Sequence, residues 1–385
     1  MHFAADSAEA RRIVVDIATR AGCRLAIKSK SMVSEEIELN PSLEAAGLEV
    51  WETDLGEFIA QISHDHPSHL CAPIIHKDRQ GIARLFSDYF GTPYNDDPEA
   101  LTMQARAHLR QKFRRADLGM TGANFLVADT GQVCVISNEG NARQSTTMPR
   151  VLISLTGIEK VLPRLLDLSV MLKLIARSST GQPMTIYTNI FGGTRAAGEK
   201  DGPEEFHLVL LDNGRSGILA GPYREALRCI RCASCVNACP VYRSIGGHAY
   251  GHVYSGPIGA LILPLMQGLE KHKDLPQASS LCGACADACP VKIDIPRHLI
   301  NLRRDIVASR LNGRFERFVY RAWAWAMGSS FRYRLFGWLQ RISLRRRAKG
   351  TEWVSRMPKI ASGWTEARDL PAPARQTFHQ VWKWK

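Results

Sequence analysis

The chain has 385 residues, 45% hydrophobic and 23% charged, proportions ordinary for a globular protein of two or three domains. Its longest apolar stretch, near 257–266, is far short of the ~20 residues of a membrane-spanning helix, and Met1-His2-Phe3 leads into Asp6, Glu9 and Arg11 without the hydrophobic stretch of a secretory leader, so a reducing cytoplasm is expected. The formal charge of +13 is local: between Arg310 and Lys349 eleven Lys or Arg stand against one acid, Glu316, and the remaining chain carries only +3.

Residues 7–21 place Ala8, Ile13, Val14, Ile17 and Ala18 at helical spacing, with Ser7 as N-cap. A short strand over 23–27 follows, then Lys28-Ser-Lys-Ser-Met32 and a helix start marked by Ser31 or Ser34 ahead of Glu35 and Glu36. Such a strand, polar loop and helix can hold an anion on free N–H groups, although an ordinary solvated turn satisfies the same pattern. Next come a strand over 47–51, a helix over 54–62 and a buried strand over 70–75. Strands alternating with helices predict an α/β layer with a largely parallel sheet. Cys23 and Cys71 read as small buried apolar residues. His64, His66 and His69 gather around Pro67 without a cysteine or acid at metal spacing.

A long helix over 97–116 is basic toward its end, as the helix dipole favours. A hairpin of 124–129 and 132–137 then turns at Thr130-Gly131. Its second strand delivers the polar run Asn138-Glu-Gly-Asn-Ala-Arg143. Ligands of open α/β sheets bind at the carboxyl ends of strands, which makes Glu139 and Arg143 candidate substrate residues. A buried strand over 151–155, a helix over 158–177 interrupted by Pro163, and strands over 180–190 and 206–212 complete this portion. Asn213-Gly214 stops the last of them, and a domain boundary is expected at 215–225.

Seven of the ten cysteines lie between Cys229 and Pro290. Cys229-x2-Cys232-x2-Cys235-x3-Cys239-Pro240 is followed by Cys282-x2-Cys285-x3-Cys289-Pro290. Thiolates at this spacing wrap the corners of one iron–sulfur cube while N–H groups turn toward sulfur, which predicts 4Fe–4S ligation. In two-cluster ferredoxins the fourth cysteine of each run serves the other cluster. Cluster 1 then takes Cys229, Cys232, Cys235 and Cys289, and cluster 2 takes Cys239, Cys282 and Cys285. Residues 232–241 and 282–291 form an internal repeat, offset by 50 positions and identical at six of ten. Ser279 stands where that repeat would place a counterpart of Cys229. Cluster 2 is therefore a 3Fe–4S cluster, a cube held at its fourth iron by Ser279 or another oxygen or nitrogen ligand, or a cube with one open iron. Zinc sites favour separate Cys-x2-Cys pairs, and a disulfide framework suits neither the length nor the spacing.

A short helix over 258–269 separates the runs, and a helix over 297–310 follows them. Residues 315–347 interleave Trp323, Trp325, Phe331, Tyr333, Phe336 and Trp338 with arginines. That pattern suits docking to an anionic membrane surface or an acidic partner, or else a helical hairpin whose aromatics pack on the cluster domain while its arginines stay in water. Nucleic acid is not expected, because no recognised nucleic-acid module accompanies the aromatics. Leu370-Pro-Ala-Pro-Ala374 reads as a stiff linker to an aromatic tail of Phe378, Trp382 and Trp384.

Lys28-Ser-Lys-Ser-Met-Val-Ser-Glu-Glu36, Thr121-Gly-Ala-Asn124, Ser137-Asn-Glu-Gly-Asn141, Asp201-Gly-Pro-Glu-Glu-Phe206 and the double cysteine run together resemble the lactate utilisation protein B family, iron–sulfur subunits of a bacterial L-lactate oxidising system. The resemblance implies an α/β LUD domain over 1–220 with a fold like CoA transferases and ribose-phosphate isomerases, a mainly helical ferredoxin-like two-cluster domain over 221–310, and a basic helical C-terminal extension over 311–385. It implies two partner subunits, one cysteine-rich and one a second LUD protein, and it carries cluster ligation onto the same seven cysteines. Family members have a substantial segment ahead of the position matching His2, so a shortened start or a missing N-terminal partner contact is expected. The implied function is transfer of electrons from lactate through two clusters to a downstream acceptor, in the cytoplasm or peripheral to the inner face of the membrane, with no catalytic residue assigned. A second expectation is an enzyme whose LUD domain acts on a small carboxylate at Glu139 and Arg143, with the clusters as electron sink. A third, a cluster-containing regulatory or nucleic-acid protein, rests on the basic segment alone.

Overall fold

The computed structural model describes residues 1–382, so Trp384 of the expected aromatic tail lies outside the described residues. The chain divides into two compact units, Met1–Ser309 and a second that begins at Arg310. The strands of the first unit are β1 (His2–Ala4), β2 (Leu25–Lys28), β3 (Glu49–Glu52), β4 (Leu118–Thr121), β5 (Phe125–Val127), β6 (Gln132–Ser137), β7 (Val151–Gly157), β8 (Val161–Leu162), β9 (Tyr187–Phe191) and β10 (Glu205–Leu211). Six of them make a parallel sheet in the order β1-β10-β7-β4-β2-β3. Every residue of β2, β4 and β7 is buried, because helices cover both faces and leave no solvated side to alternate with.

Those helices are α1 (Ser7–Arg20), α2 (Met32–Glu36), α3 (Leu39–Ala45), α4 (Leu55–Ile62), α5 (Arg79–Phe90) and α6 (Pro98–Arg115). Val14 and Ile17 of α1 pack with Leu39 and Leu43 of α3 against Ala26 on one face. Phe58 of α4, Phe86 of α5 and Leu109 and Phe113 of α6 pack against Ile27 on the other. The cap of α1 is Asp6 rather than Ser7. The Asp6 carboxylate accepts from the Glu9 N–H at 2.8 Å, and Ser7 donates to Asn213 instead.

A smaller sheet has the order β8-β5-β6-β9. The expected hairpin is its centre, with β5 and β6 antiparallel and Gly131 at φ 67° in the turn. Since β6 belongs to this sheet, the polar run after it does not end a strand of the open parallel sheet as its sequence suggested. Two further expectations fail. Residues 70–75 form turns, because Pro73 lacks an N–H and the His69 Nδ1 accepts from the N–H groups of Cys71 and Ala72, drawing the segment out of ladder geometry. The helix expected over 158–177 begins only after Pro163. Residues Ile158–Lys160 form a 3-10 turn, β8 pairs with β5, and the helix proper spans Leu165–Thr180.

The cysteine-rich portion is built from short helices: Arg215–Ala220, Ser234–Ala238, Pro240–Ile245, Gly256–Gln267, Ala284–Asp287 and Ile295–Ala308. It packs on the α/β portion within the same unit. The Tyr242 hydroxyl donates to the Ser68 carbonyl at 2.9 Å, the Tyr254 hydroxyl to Glu36 at 2.6 Å, and His69 meets Asn237 at 3.0 Å.

The second unit holds helices Arg314–Met327 and Ser330–Arg347 and a small core of Leu344, Ala348 and Val354. Trp323, Phe331, Tyr333 and Trp338 are exposed, and Arg332 stacks over Trp325. Leu370-Pro371 is not a free linker but an edge strand paired with Trp353–Val354, where a proline has no inward N–H to lose. Among the described residues no helix is long and apolar enough to cross a membrane.

Candidate metal centre and adjoining cavity

The two cysteine runs fold alike. Arg231 and Ala233, both at φ 63°, flank Cys232, and fifty residues later Leu281 (φ 56°) and Gly283 (φ 88°) flank Cys282. Left-handed backbone costs an L-residue roughly 1–2 kcal/mol. Such turns can point backbone N–H groups into a concavity that receives anions. The Ser234 N–H is aimed at the Cys232 sulfur and the Ala284 N–H at the Cys282 sulfur, again fifty positions apart. Tyr242 and Ile293 donate to the sulfurs of Cys239 and Cys289, each at 3.4 Å.

Cys229, Cys232, Cys235 and Cys289 line one small cavity walled by Leu70, Ile258 and Ile293. Cys289, from the second run, is thus beside the three cysteines of the first. In the other group Cys285 senses Cys239 and Cys282. Burial first, then Cys239 and more weakly Cys282, push its thiol up to about 11. Ser279 is half-buried, and its hydroxyl accepts from the Leu281 N–H at 3.2 Å.

These residues fit iron–sulfur groups. All ten thiols are free, and Cys232, Cys235, Cys239, Cys285 and Cys289 are buried. Burial, reinforced by Cys229 and Cys232, pushes the Cys235 thiol well up, so a thiolate there is unfavourable without a cation beside it. Bound iron supplies that cation, and the N–H groups supply the remaining polar contacts. Cys282 is the exposed member of the set.

A second cavity, of about 340 Å³, adjoins this centre. It lies at the carboxyl ends of the parallel strands, where the topology of an open α/β sheet leaves a crevice. Ser29, Lys30 and Ser31 follow β2, Asp54 follows β3, Asn124 follows β4, and Glu159 and Lys160 follow β7. Ser137, Glu139 and Asn141 close one side, and Arg231, Cys232 and Tyr254 close the other. Three of the sequence motifs therefore meet at one hollow whose far wall is the cysteine run. Glu139 lines the cavity from an exposed loop; desolvation of its carboxyl, then the charge of Asp54, pushes it up to about 7. Arg143 is exposed and does not line the cavity.

Lys28 is not part of the loop after β2. It is 1% exposed and bonds Glu52 and Asn40, each at 2.5 Å. Burial alone would lower its pKa, yet Glu52 and Glu35 raise it. Lys160 and Arg231 were not foreseen. Lys160 is the last residue of an irregular turn that the sequence presented as helix, and Arg231 sits inside a motif whose spacing speaks only of sulfur. Cys71, read as mere packing, accepts from the Ser179 hydroxyl at 3.2 Å and lines the same cavity. The histidines around Pro67 do not meet one another at a metal site. Instead Asp65 gathers His76 and His248, with Lys77 already 2.7 Å from its carboxylate.

Comparison with known proteins gives three family models along the chain. A LUD domain matches residues 1–211, a 4Fe-4S dicluster domain matches 225–293, and "Lactate utilisation protein B, C-terminal" matches 308–385. Among similar proteins, lactate utilization protein B of Shouchella clausii is 44% identical over 384 residues, 100% of this chain and 81% of that protein. The proteins of the same name from Oceanobacillus iheyensis and Bacillus subtilis are each 43% identical, covering 99% and 98% of this chain and 80% and 79% of their own lengths.

Proposed function

The chain belongs to the lactate utilisation protein B family, and from that premise we propose that it is an iron–sulfur electron-transfer subunit in the oxidation of L-lactate. In this reading Cys229, Cys232, Cys235 and Cys289 hold cluster 1, and Cys239, Cys282 and Cys285 hold cluster 2. The observation that carries it is the meeting of Cys289 with the three cysteines of the first run around one cavity. Bound clusters supply one-electron exchange at potentials set by charge, N–H to sulfur bonds and exposure.

The chain's own part is to hold thiolates together and to tune them. Leu70, Ile258 and Ile293 keep water from the first site, while the exposed Cys282 leaves the second site open on one side. The α/β portion is taken to share the fold of CoA transferases and ribose-phosphate isomerases. A cysteine-rich subunit and a second LUD-type subunit are the partners of this reading. The arginines and exposed aromatics of 315–347 suit peripheral contact with an anionic membrane surface.

Oxygen-free purification with iron and sulfide analysis and EPR tests the reading. About eight irons per chain support two cubes, about seven a 3Fe–4S second site, and about four or fewer refute two clusters.

A further inference from the structure

Three side chains outside both cysteine groups turn toward one point. Asp65, His76 and His248 each offer a ligand atom within 4.8 Å of the other two. His76 Nε2 is 2.9 Å from Asp65 Oδ2, and His248 Nε2 is 3.8 Å from Oδ1. Asp65 comes from the loop after α4, His76 from the turns before α5, and His248 from the stretch between the cysteine runs. The remaining contacts hold these atoms where they are. Ser68 Oγ meets His76 Nδ1 at 2.7 Å, which fixes the ring with its other nitrogen toward the carboxylate; histidines that bind metals are commonly steadied in this way. The His66 N–H donates to Asp65 Oδ1 at 2.8 Å, and the His66 carbonyl is 2.8 Å from His248 Nε2. Lys77, half-buried, shares Asp65 Oδ2 at 2.7 Å.

An independent observation points to a positive ion on this side of the molecule. Asp65 and His248 line a cavity of about 630 Å³ with Glu35, Glu38, Glu52 and Glu57, and among the described residues no lysine or arginine lines it. Lys28 lies 2.5 Å from Glu52 and 3.5 Å from Glu35, and Lys30 lies 3.4 Å from Glu57. Glu52 and Glu57 are each 4% exposed, and the Oε2 of each has no hydrogen-bond partner among the described residues. Burial, offset only in part by Lys30, holds the Glu57 carboxyl well above its usual range. Even with Glu57 protonated, the four carboxylates of Glu35, Glu38, Glu52 and Asp65 face three lysines, Lys28, Lys30 and Lys77. A cleft with such an excess of one sign gathers ions of the other.

The donor atoms narrow the class of ion. Two imidazole nitrogens and one carboxylate oxygen suit zinc and its first-row neighbours, whereas magnesium and calcium take oxygen throughout. No cysteine lines this cavity among the described residues. We propose that Asp65, His76 and His248 bind one divalent transition-metal ion, zinc or a first-row neighbour, separate from the iron–sulfur groups, and that this ion clasps the stretch between the cysteine runs to the α/β portion. Lys77 gives up Asp65 when the ion enters. The inference does not depend on how many clusters the cysteines hold.

The test uses the full chain purified without oxygen, loaded with iron and passed over a chelating resin. Zinc and magnesium are titrated in turn by calorimetry, with iron measured before and after, and zinc-edge X-ray absorption is recorded on the product. One zinc per chain should bind and raise the urea midpoint, with nitrogen and oxygen neighbours at about 2.0–2.1 Å and none of the sulfur at about 2.3 Å that cysteine would give. His76→Ala and His248→Ala replace exposed side chains. Each should weaken zinc binding by more than the ~10–100-fold that follows loss of a partner of a metal-bound histidine, with iron unchanged. Lys77→Gln should bind zinc at least as tightly as the parent, because the carboxylate is no longer shared. No zinc uptake by iron-replete protein, zinc held through sulfur, or magnesium binding as tightly as zinc overturns the inference. Uptake unaltered in both histidine variants, or weakened by Lys77→Gln, overturns it equally, and none of these outcomes touches the electron-transfer reading, which stands or falls on the iron.

Discussion

Arg215 and Glu36 make a two-pronged ion pair in which neither side chain is exposed at all. Glu36 ends α2, Arg215 follows β10, and Tyr254 of the cysteine-rich portion donates to the same carboxylate at 2.6 Å. One carboxylate thus ties together three segments that are far apart in sequence. Burial would raise the Glu36 pKa, but Arg215 above all holds it below the usual range. Removing one member of a buried pair costs about 3–5 kcal/mol where it strands the other, and less here, because Arg215 keeps Glu159 at 2.6 Å. Glu36→Ala should cost the iron-loaded protein about 1–3 kcal/mol, seen as a lower urea midpoint. Tyr254→Phe, which deletes one hydrogen bond to a charged group, should cost about 1.5–3 kcal/mol. A midpoint unmoved by Glu36→Ala would show that the pair does not hold these segments together.

Gly247 is a second seam between the same portions. A Cβ there would stand 1.6 Å from the Ser68 carbonyl oxygen, a backbone atom that cannot swing aside. Gly247→Ala must therefore part the segment between the cysteine runs from the loop after α4, at about 1–3 kcal/mol for an overpacked contact. Gly268→Ala is the control. Its Cβ meets nothing within 4 Å, although its φ of 99° brings some backbone strain. Denaturation of the two variants side by side should find the Gly247 substitution the more damaging.

The sequence disclosed what is periodic or covalently spaced and hid what depends on packing. The hairpin at Gly131, the helix start at Ser31, the helices beginning near 54 and 97, and the parallel layer were legible because each follows from local pattern. The failures have a different cause. Residues 70–75 look like a strand until His69 is seen to accept both of the N–H groups a ladder would need. Lys28 looks like a loop cation, yet its burial with Glu52 and Asn40 depends on β2 and β3 lying side by side. Arg231 has no periodic signal; its importance comes from Glu159 being already occupied by Arg215. Helix α5, for which no expectation was formed, closes one face of the sheet through Phe86.

Glu139 gives the cavity a pH dependence of calculable sign. Desolvation of its carboxyl and then Asp54 raise it from the ordinary 4.5 to about 7, while the Leu55 N–H and Lys30 act in the opposite direction. An acid that ionises less readily in the folded chain than in the unfolded one subtracts stability once pH passes its unfolded value. The loss grows from about pH 4.5 to about 7 and then levels. Glu139→Gln should be relatively more stable than the parent at about pH 8 than at about pH 5, as the difference between their urea midpoints will show. A difference that is flat across this interval would mean that the carboxyl titrates as a free one.

The two metal sites should differ in their response to air, and the exchanged cysteines should reveal themselves by which site they disable. The first site draws four thiols around one small cavity, whereas the second has three, of which Cys282 is exposed. Oxidants and water reach an exposed thiolate corner sooner than a buried one, so on admission of air the signal of the second centre should decay first. Cys289→Ser should then damage the centre held by the first run although it lies in the second, and Cys239→Ser should do the reverse. Each substitution is expected to remove about one cluster's worth of iron and leave the other centre's EPR signal in place. Ser279→Cys offers a fourth thiol at the position fifty residues from Cys229, and because Ser279 is half-buried in a turn held by the Leu281 N–H, a cysteine there need not disturb the chain. It should slow the decay of the second centre alone. If Cys289→Ser instead silences the centre held by Cys282 and Cys285, ligation is confined within each run and the crossed arrangement is wrong; equal decay of both centres in air would mean that the exposure of Cys282 does not govern their lifetimes.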